Sequence, residues 1–206
     1  MDKTIIEAKA YLAKKFDFDL LILYGSFASH HNNDESDIDI IGFGDVPQFM
    51  HDSAVIDGHM LDAWIYPCEE RKDISKTLHI LPCTVLIDKN NTGDELIRRI
   101  EEERHRLTKK MTNEDREQMN SWIEKMINRA SQSSPEGDYR YNWLLYDFPE
   151  LYCNYLSIYY DGPIKTLKNR IANDAEVNEL YTELLKRQKD IEKLKALYTV
   201  IMSREA

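Results

Sequence analysis

The chain has 206 residues and a formal net charge of −10 at pH 7, which allows one large domain or two small ones. The acidic balance argues against a nucleic-acid groove as the main binding surface, because such grooves are usually basic, and it suits a cationic small molecule. No apolar run reaches membrane-spanning length, residues 1–16 lack a signal-peptide core, and three widely spaced cysteines form no CxxC pair. We therefore expect a cytoplasmic protein with no membrane partner and no disulfide framework.

The N-terminal residues predict a helix followed by two strands. Thr4 and Glu7 have the spacing of a capping box, and apolar residues recur on one helical face at positions 5, 8, 12 and 16. The runs 20–24 and 36–41 are short and rich in Ile and Leu, which is typical of buried strands. Between them we expect a turn at Gly25-Ser26 and a short helix over 27–29.

Two acidic residues stand in the second predicted strand. Asp37 and Asp39 alternate with Ile38 and Ile40, so in a strand both carboxylates point to the same side. Carboxylates on one face repel each other unless a cation lies between them, and Mg²⁺ takes oxygen ligands of this kind. The pattern therefore suits a magnesium site, although Asp-Ile-Asp can also be the exposed face of an edge strand.

The turn before this acidic pair has features that suit a phosphate group. Gly25 allows the backbone to approach a ligand closely, and Ser26 adds a hydroxyl and an N–H near a helix start. Ser36, which directly precedes the pair, is a further candidate for nucleotide binding.

The rest of the first half predicts a hairpin, a charged segment and a last strand. The runs 54–56 and 60–66 flank Asp57-Gly58, which is typical of a hairpin turn. A third acidic residue, Asp62, lies in the second of these runs. The other predicted elements are a helix at 67–76 and a strand at 84–88.

After residue 92 the sequence predicts helices alone. The fold class is therefore α/β in the broad sense (α+β), with a mixed-sheet domain at 1–92 and a helical bundle at 93–206. A seven-residue apolar spacing in the last segment would also suit a homodimer seam, although packing within a bundle is the commoner cause.

The predicted helices of the second half have the following bounds. Helices are expected at 94–110, from Thr112 onward, at 141–160 with a kink or restart at Pro149, at 164–171, and at 175–202 as one helix or two, with a loop at 131–138.

The segment 139–170 combines aromatic and charged residues. Its rings at 148, 152, 155 and 159 share one helical face, which usually means core but would also suit a wall for a base or a sugar ring. Asp147 and Glu150 flank Pro149, either as surface carboxylates or as functional acids.

A basic cluster follows, formed by Lys165, Lys168 and Arg170. These cations could neutralise a triphosphate, as phosphoryl-transfer sites require. Equally, they could form the polar face of a short amphipathic helix.

Gly25-Ser26, followed after ten residues by Asp37-Ile38-Asp39-Ile40, resembles the signature of the DNA polymerase β-type nucleotidyltransferase superfamily. That signature joins Gly-Gly or Gly-Ser to Asp-apolar-Asp/Glu-apolar, and members carry a third carboxylate on a later strand. Asp62 fits that place, whereas Asp57 is a weaker fit because it marks a turn. Many relatives have an Arg-Gly pair in the spacer, where this chain has Ser-His-His at 29–31, so the smallest, antitoxin-like members match less well.

The layout of a catalytic module and a helical domain is similar to small-molecule nucleotidyltransferases such as the aminoglycoside enzymes. In kanamycin-type members a carboxylate base precedes a Gly-Pro pair by about the distance that separates Glu150 from Gly162-Pro163. The resemblance therefore favours Glu150 over Asp147 as the general base.

The resemblance implies transfer of a nucleoside monophosphate, expected to be AMP, from an NTP to a hydroxyl of a small molecule, with release of pyrophosphate. It implies a two-metal Mg²⁺ site at Asp37, Asp39 and Asp62, with Glu150 or Asp62 as base. Phosphate contacts would come from Gly25, Ser26, Ser36, Lys165 and Lys168.

Two alternatives stay open at this point. The same chemistry could modify a protein side chain or an RNA end, as in antitoxin-type relatives. Alternatively, the chain could be a non-catalytic nucleotide-binding module, which the intact set of carboxylates disfavours.

Overall fold

The computed structural model describes residues 2–108, 110–186 and 188–204. The chain divides into two compact units, one ending at Arg104 and one starting at His105. This division falls later than residue 92, where the sequence pattern changes. The reason is the helix that starts at Gly93, which buries Leu96 and Ile100 in the core of the first unit.

The first unit contains a five-stranded sheet with helices on both faces. Its elements are α1 (Lys3–Lys15), β1 (Phe18–Tyr24), α2 (Gly25–Ala28), β2 (Ile38–Gly44), β3 (Met50–Ile56), β4 (His59–Pro67), β5 (Thr84–Asp88) and α3 (Gly93–Leu107).

The strand order in the sheet is β3-β4-β2-β1-β5. The β2–β4 pair is parallel, and the other three neighbouring pairs are antiparallel. The predicted mixed sheet is thus confirmed. At the Asp57-Gly58 turn both residues have positive φ, 51° and 89°, as a two-residue hairpin loop of this type requires.

Each face of the sheet is covered by a different helix. On one face Ile5, Ala8 and Leu12 of α1 pack in a cluster with alternate residues of the central strands, such as Leu21 and Ile40. On the other face α3 packs in a cluster with the residues between them, including Leu20, Ile22, Ile41 and Phe43. Strands covered on both sides give continuous apolar runs, which explains why β1 and β2 lack a polar face along most of their length.

Three local predictions for the first unit need correction. Asp2, and not Thr4, caps α1, because its side chain accepts a hydrogen bond from the Thr4 amide at 3.0 Å. The segment 67–76 forms two 3₁₀ turns, Cys68–Lys72 and Ile74–Lys76, instead of an α-helix. Strand β2 begins at Ile38, so Asp37 lies just before it.

The second unit is a bundle of helices. Its elements are α4 (Asn113–Ala130), α5 (Pro135–Tyr155), α6 (Pro163–Asn169), α7 (Ala175–Lys186) and α8 (Ile191–Met202). The fold class predicted from the sequence, a mixed sheet followed by a helical bundle, is therefore confirmed. The helix predicted from Thr112 starts at Asn113, and Thr112 caps it through a capping box with Asp115.

Helix α5 continues through Pro149, where a kink or restart was expected. A proline inside a helix removes the hydrogen bond to the carbonyl four residues earlier, which here is that of Leu145. The Tyr181 hydroxyl donates to this carbonyl at 2.8 Å. The Tyr198 hydroxyl donates to the neighbouring carbonyl of Leu144, also at 2.8 Å. Two tyrosines from α7 and α8 therefore hydrogen-bond the backbone next to the proline.

One further prediction for the bundle is revised by the structure, and for another the structure selects between two alternatives. Helix α5 starts at Pro135 with Ser134 as its cap, so the predicted loop at 131–138 is shorter than expected. The C-terminal segment forms two helices, which was one of the two alternatives. Asp190 caps the second of them by accepting from the Lys193 amide at 2.9 Å.

Candidate functional site

Two carboxylates stand side by side at one end of the sheet. Asp39 of β2 and Asp62 of β4 are direct partners in the parallel register. Neighbouring strands lie about 4.8 Å apart, and partners in register point to the same face. Tyr24, at the end of β1, is the antiparallel partner of Asp39. The sheet therefore brings together two of the three carboxylates that the sequence singled out.

Gly25 lies directly against the carboxylate of Asp39. Its φ is +72°, and a Cβ atom built on it would be 2.0 Å from Asp39 Oδ2. A side chain at this position would therefore displace the carboxylate. Gly25 also starts α2, and the Ser29 hydroxyl closes this short helix by donating to the Gly25 carbonyl at 2.9 Å. The sequence predicted that Gly25 lets a ligand approach the backbone closely. In the structure the group that lies against Gly25 is the Asp39 carboxylate.

Asp37 and Ser36 belong to the loop that leads into β2. Asp37 is exposed, one residue before the strand. The Ser36 hydroxyl accepts from the Asn33 amide at 2.9 Å and donates to the Asn33 side chain at 3.1 Å. The Ser36 carbonyl lies 2.8 Å from His59 Nδ1. The hydroxyl and the carbonyl of Ser36 thus hold the shape of this loop.

The negative charges of Asp39 and Asp62 affect the pKa of Tyr24. Burial raises the pKa of the Tyr24 hydroxyl well above its ordinary value, and the negative charges of Asp39 and Asp62 raise it further. Tyr24 therefore stays protonated across the physiological range, as an uncharged neighbour of the acidic pair.

Sequence reasoning missed two residues that contact Asp62. His51 Nε2 lies 2.5 Å from Asp62 Oδ1, and the Trp64 indole N–H donates to the same oxygen at 3.1 Å. A signal for both was present in the sequence. A two-residue hairpin centred on Asp57-Gly58 pairs position 51 with position 64, as the structure has it.

The residues present fit a magnesium ion that is held mainly by substrate. Mg²⁺ is usually bound through one or two carboxylates together with substrate phosphates and water, and Asp39 and Asp62 supply such a pair. Within residues 2–108, 110–186 and 188–204, no three His, Cys, Asp or Glu side chains form a group that could hold a metal ion.

The second unit has a groove of about 940 Å³ along α4 and α5. Asp147 is partly buried and Glu150 is exposed at this groove. Burial raises the pKa of the Asp147 carboxyl, and the nearby charge of Glu150 raises it further. The groove therefore combines unfavourable negative charge with an apolar wall. The charged residues that line it are Asp115, Asp147, Glu150 and Lys110, and the apolar ones are Met111, Met119, Trp122 and Leu151.

The aromatic stripe of α5 is core. Phe148, Tyr152 and Tyr155 are buried, and the Tyr152 hydroxyl donates to Asp174 at 3.0 Å. The alternative in which this stripe forms the wall for a ring is therefore wrong for these three residues.

The predicted basic cluster lies on and just after the short helix α6. Lys165 pairs with Asp161 at 3.5 Å, whereas Lys168 and Arg170 are exposed. Lys165 is thus already neutralised in part by its own segment, and Lys168 is the more accessible cation.

No protein-family model and no curated protein matches this chain. Among solved structures, a nucleotidyltransferase-like protein from Exiguobacterium sibiricum 255-15 is similar to it. The two share 12% sequence identity, with 97% of this chain and 73% of that chain covered, at a TM-score of 0.39. This score is too low to assign the chain to the family of that protein. None of the helices in the described ranges is long and apolar enough to cross a membrane.

Proposed function

We propose that this chain is a Mg²⁺-dependent nucleotidyltransferase that moves a nucleoside monophosphate, expected to be AMP, from an NTP to a hydroxyl of a small molecule. The observation that carries the proposal is the pair Asp39 and Asp62 in register on parallel strands, with Gly25 fitted against Asp39. Such a pair is chemically suited to a divalent cation and a triphosphate.

In the proposed reaction the acceptor oxygen bonds to the α-phosphorus, and the bond from that phosphorus to the oxygen bridging to the β-phosphate breaks. Pyrophosphate leaves, and a carboxylate takes the hydroxyl proton. Asp62 and Glu150 are the candidates for this base. Asp39 and Asp62 would hold Mg²⁺ together with the phosphates, whose charge the ion neutralises when bound.

The remaining candidates would bind the nucleotide. Gly25 and Ser26 offer backbone N–H groups, Ser36 shapes the loop beside them, and Lys165 and Lys168 supply positive charge. Replacing Lys168 with Ala should raise KM for the NTP about 10–150-fold with little change in kcat, because a charged hydrogen bond contributes about 1.5–3 kcal/mol. An unchanged KM would remove this lysine from the nucleotide site.

The acidic groove of the second unit favours a cationic acceptor. Asp147 and Glu150 face it together with Trp122, and an aromatic ring beside carboxylates suits an amino sugar or a similar cation. We therefore place aminoglycoside-like compounds first among the acceptors. A cytoplasmic location and a homodimer remain predictions from the sequence.

The function can be tested by Mg²⁺-dependent release of pyrophosphate. Each of the four NTPs would be combined with a panel of hydroxyl-bearing compounds that includes aminoglycosides and lincosamides. We expect release with one NTP and one acceptor class, and its loss in Asp39→Ala with folding retained. Asp45→Asn is the matched control, because Asp45 is exposed and directly follows β2, far from Asp39 along the strand. Retained turnover in Asp39→Ala would refute the assignment.

The general base can be identified by two substitutions that keep side-chain size, Glu150→Gln and Asp62→Asn. Removal of a general base lowers kcat by about 10²–10⁴-fold. We expect the larger loss of kcat in Glu150→Gln, with Glu124→Gln on α4 as an exposed control. A larger loss in Asp62→Asn would assign the base to the sheet instead.

A further inference from the structure

The carboxylate of Asp62 is held from one side by two nitrogen atoms. His51 Nε2 lies 2.5 Å from Oδ1, and the Trp64 indole N–H donates to the same oxygen at 3.1 Å. Both of these contacts, within the described part of the chain, are made to Oδ1 of Asp62. This arrangement leaves the other oxygen, Oδ2, to meet a ligand.

The backbone register explains why these three side chains meet. In the β3–β4 hairpin His51 is the partner of Trp64, and Ser53 is the partner of Asp62. Residues two apart on a strand share a face, so His51, Asp62 and Trp64 all lie on the same side of the sheet. No long or flexible connection is needed to bring them together.

The two rings are themselves fixed by aromatic packing. The rings of His51 and Trp64 are 5.5 Å apart between centroids, and Phe49 packs on Trp64 at 5.4 Å and on Tyr66 at 5.0 Å. Trp64 nevertheless remains 40% exposed. The Trp64 indole is packed on its neighbours but is still partly exposed. It can therefore hydrogen-bond the Asp62 carboxylate while that carboxylate stays accessible to substrate.

We propose that His51 and Trp64 are positioning residues that hold Asp62 in its reactive orientation. The inference rests on the proposed function, in which Asp62 binds the metal or accepts the proton. Groups behind a ligating or catalytic carboxylate typically change activity by 10–100-fold when removed. Both residues therefore act on the reaction through Asp62.

The first test is kinetic and uses His51→Leu and Trp64→Phe, which remove the nitrogen contacts and keep apolar bulk. Each should lower kcat about tenfold and leave KM for the NTP nearly unchanged. His51→Gln, whose amide can still donate, should restore most of the rate. Val55→Ala is the matched control, since Val55 lies on the same face of β3 and is 67% exposed.

A double-mutant cycle separates positioning from a structural role. In an Asp62→Ala background, His51→Leu and Trp64→Phe should have no further effect on kcat, because the group they position is gone. An equal loss of kcat in that background would overturn the proposal. An unchanged kcat in both single variants would overturn it as well.

The contact itself can be observed without any activity. The indole N–H resonance of Trp64, assigned by its loss in Trp64→Phe, should shift upfield in Asp62→Ala, whereas those of Trp122 and Trp143 should not move. A Trp64 resonance that stays in place would overturn the proposal. If the wild-type protein releases no pyrophosphate under any condition, the proposed function and the inference both fail, and the resonance still reports whether the contact exists.

Discussion

Gly25 and Pro149 are two positions where an unusual residue shapes its surroundings, and the two units deal with them differently. At Gly25 the missing side chain leaves room for the Asp39 carboxylate, which would be 2.0 Å from a Cβ atom. At Pro149 the missing N–H leaves a helix carbonyl, that of Leu145, which the Tyr181 hydroxyl satisfies at 2.8 Å. The first position makes space for a functional group, and the second needs a group supplied by another helix.

The Gly25 position is expected to affect activity, whereas the Pro149 position is expected to affect stability. The space beside Gly25 places the Asp39 carboxylate at the candidate site, so this position concerns the reaction more than the fold. A hydroxyl that satisfies a buried carbonyl does stabilise the fold. Substitutions at the first position should therefore change activity most, and substitutions around the second should change the free energy of unfolding.

The largest effect is expected from Gly25→Ala. The added Cβ must displace Asp39, and displacement of a catalytic group by about 1 Å can lower the rate about 100-fold. The positive φ adds about 1–2 kcal/mol of strain. We expect pyrophosphate release to fall at least about 100-fold in a protein that still folds.

Gly58→Ala controls for backbone strain alone. Gly58 also has a positive φ, +89°, but a Cβ there would meet nothing within 4 Å. The Gly58→Ala variant should therefore lose about as much free energy of unfolding as Gly25→Ala, and it should keep its rate of pyrophosphate release. Equal activity losses in both variants would show that strain, and not displacement of Asp39, is responsible.

A smaller effect, on stability only, is expected from Tyr181→Phe. Loss of the hydroxyl leaves the Leu145 carbonyl unsatisfied in the core, which should lower the free energy of unfolding by about 1–3 kcal/mol. Urea denaturation would measure it. Tyr139→Phe, at a residue that is 71% exposed, should change stability by less than about 0.5 kcal/mol.

Pro149→Ala tests whether the tyrosine compensates for the proline. The new N–H can bond to the Leu145 carbonyl, so Tyr181→Phe should be less destabilising in this background, with a coupling of about 1 kcal/mol. Additive effects would mean that the tyrosine stabilises the bundle for another reason.

The smallest effect is expected from Asp147→Asn. Burial and the charge of Glu150 raise the pKa of Asp147 in the fold, so its ionised form destabilises the native state above that pKa. The substitution should therefore raise the free energy of unfolding slightly at about pH 7. The gain should shrink as the pH falls through the raised pKa and vanish below the unfolded value, where wild-type Asp147 is protonated in both states. A gain that is independent of pH, measured by denaturation at several pH values, would contradict this.

Local chemistry explains which features could be predicted from the sequence. Strand β5 (Thr84–Asp88) and the hairpin turn at Asp57-Gly58 depend on neighbouring residues, and both were predicted. Asp2 was overlooked as a cap because Thr4 with Glu7 offered a competing pattern two residues later. The 3₁₀ turns after β4 have the composition of a helix, and composition alone does not distinguish the two.

The candidate site was predictable only in part, because it depends on pairing between distant segments. Alternation within one strand placed Asp37 beside Asp39, but Asp37 lies in the loop before β2. The neighbour that the sheet supplies for Asp39 is Asp62, which comes from a parallel pairing that periodicity does not reveal. His51 and Trp64 are brought to the site by the register of the β3–β4 hairpin. They could have been found from the sequence by counting residue pairs outward from the turn at Asp57-Gly58.

The in-register pairing of Asp39 with Asp62 also limits how this chain can change in length during evolution. A single residue inserted between His59 and Asp62 would shift the strand register by one and turn Asp62 toward the α1 face. An insertion of two residues would restore the face but move the carboxylate by about two residue rises, roughly 7 Å along the strand. Loop 45–49 carries no such restriction, because it precedes the hairpin as a whole. Length variation among related sequences should therefore collect in that loop and be absent from the first half of β4.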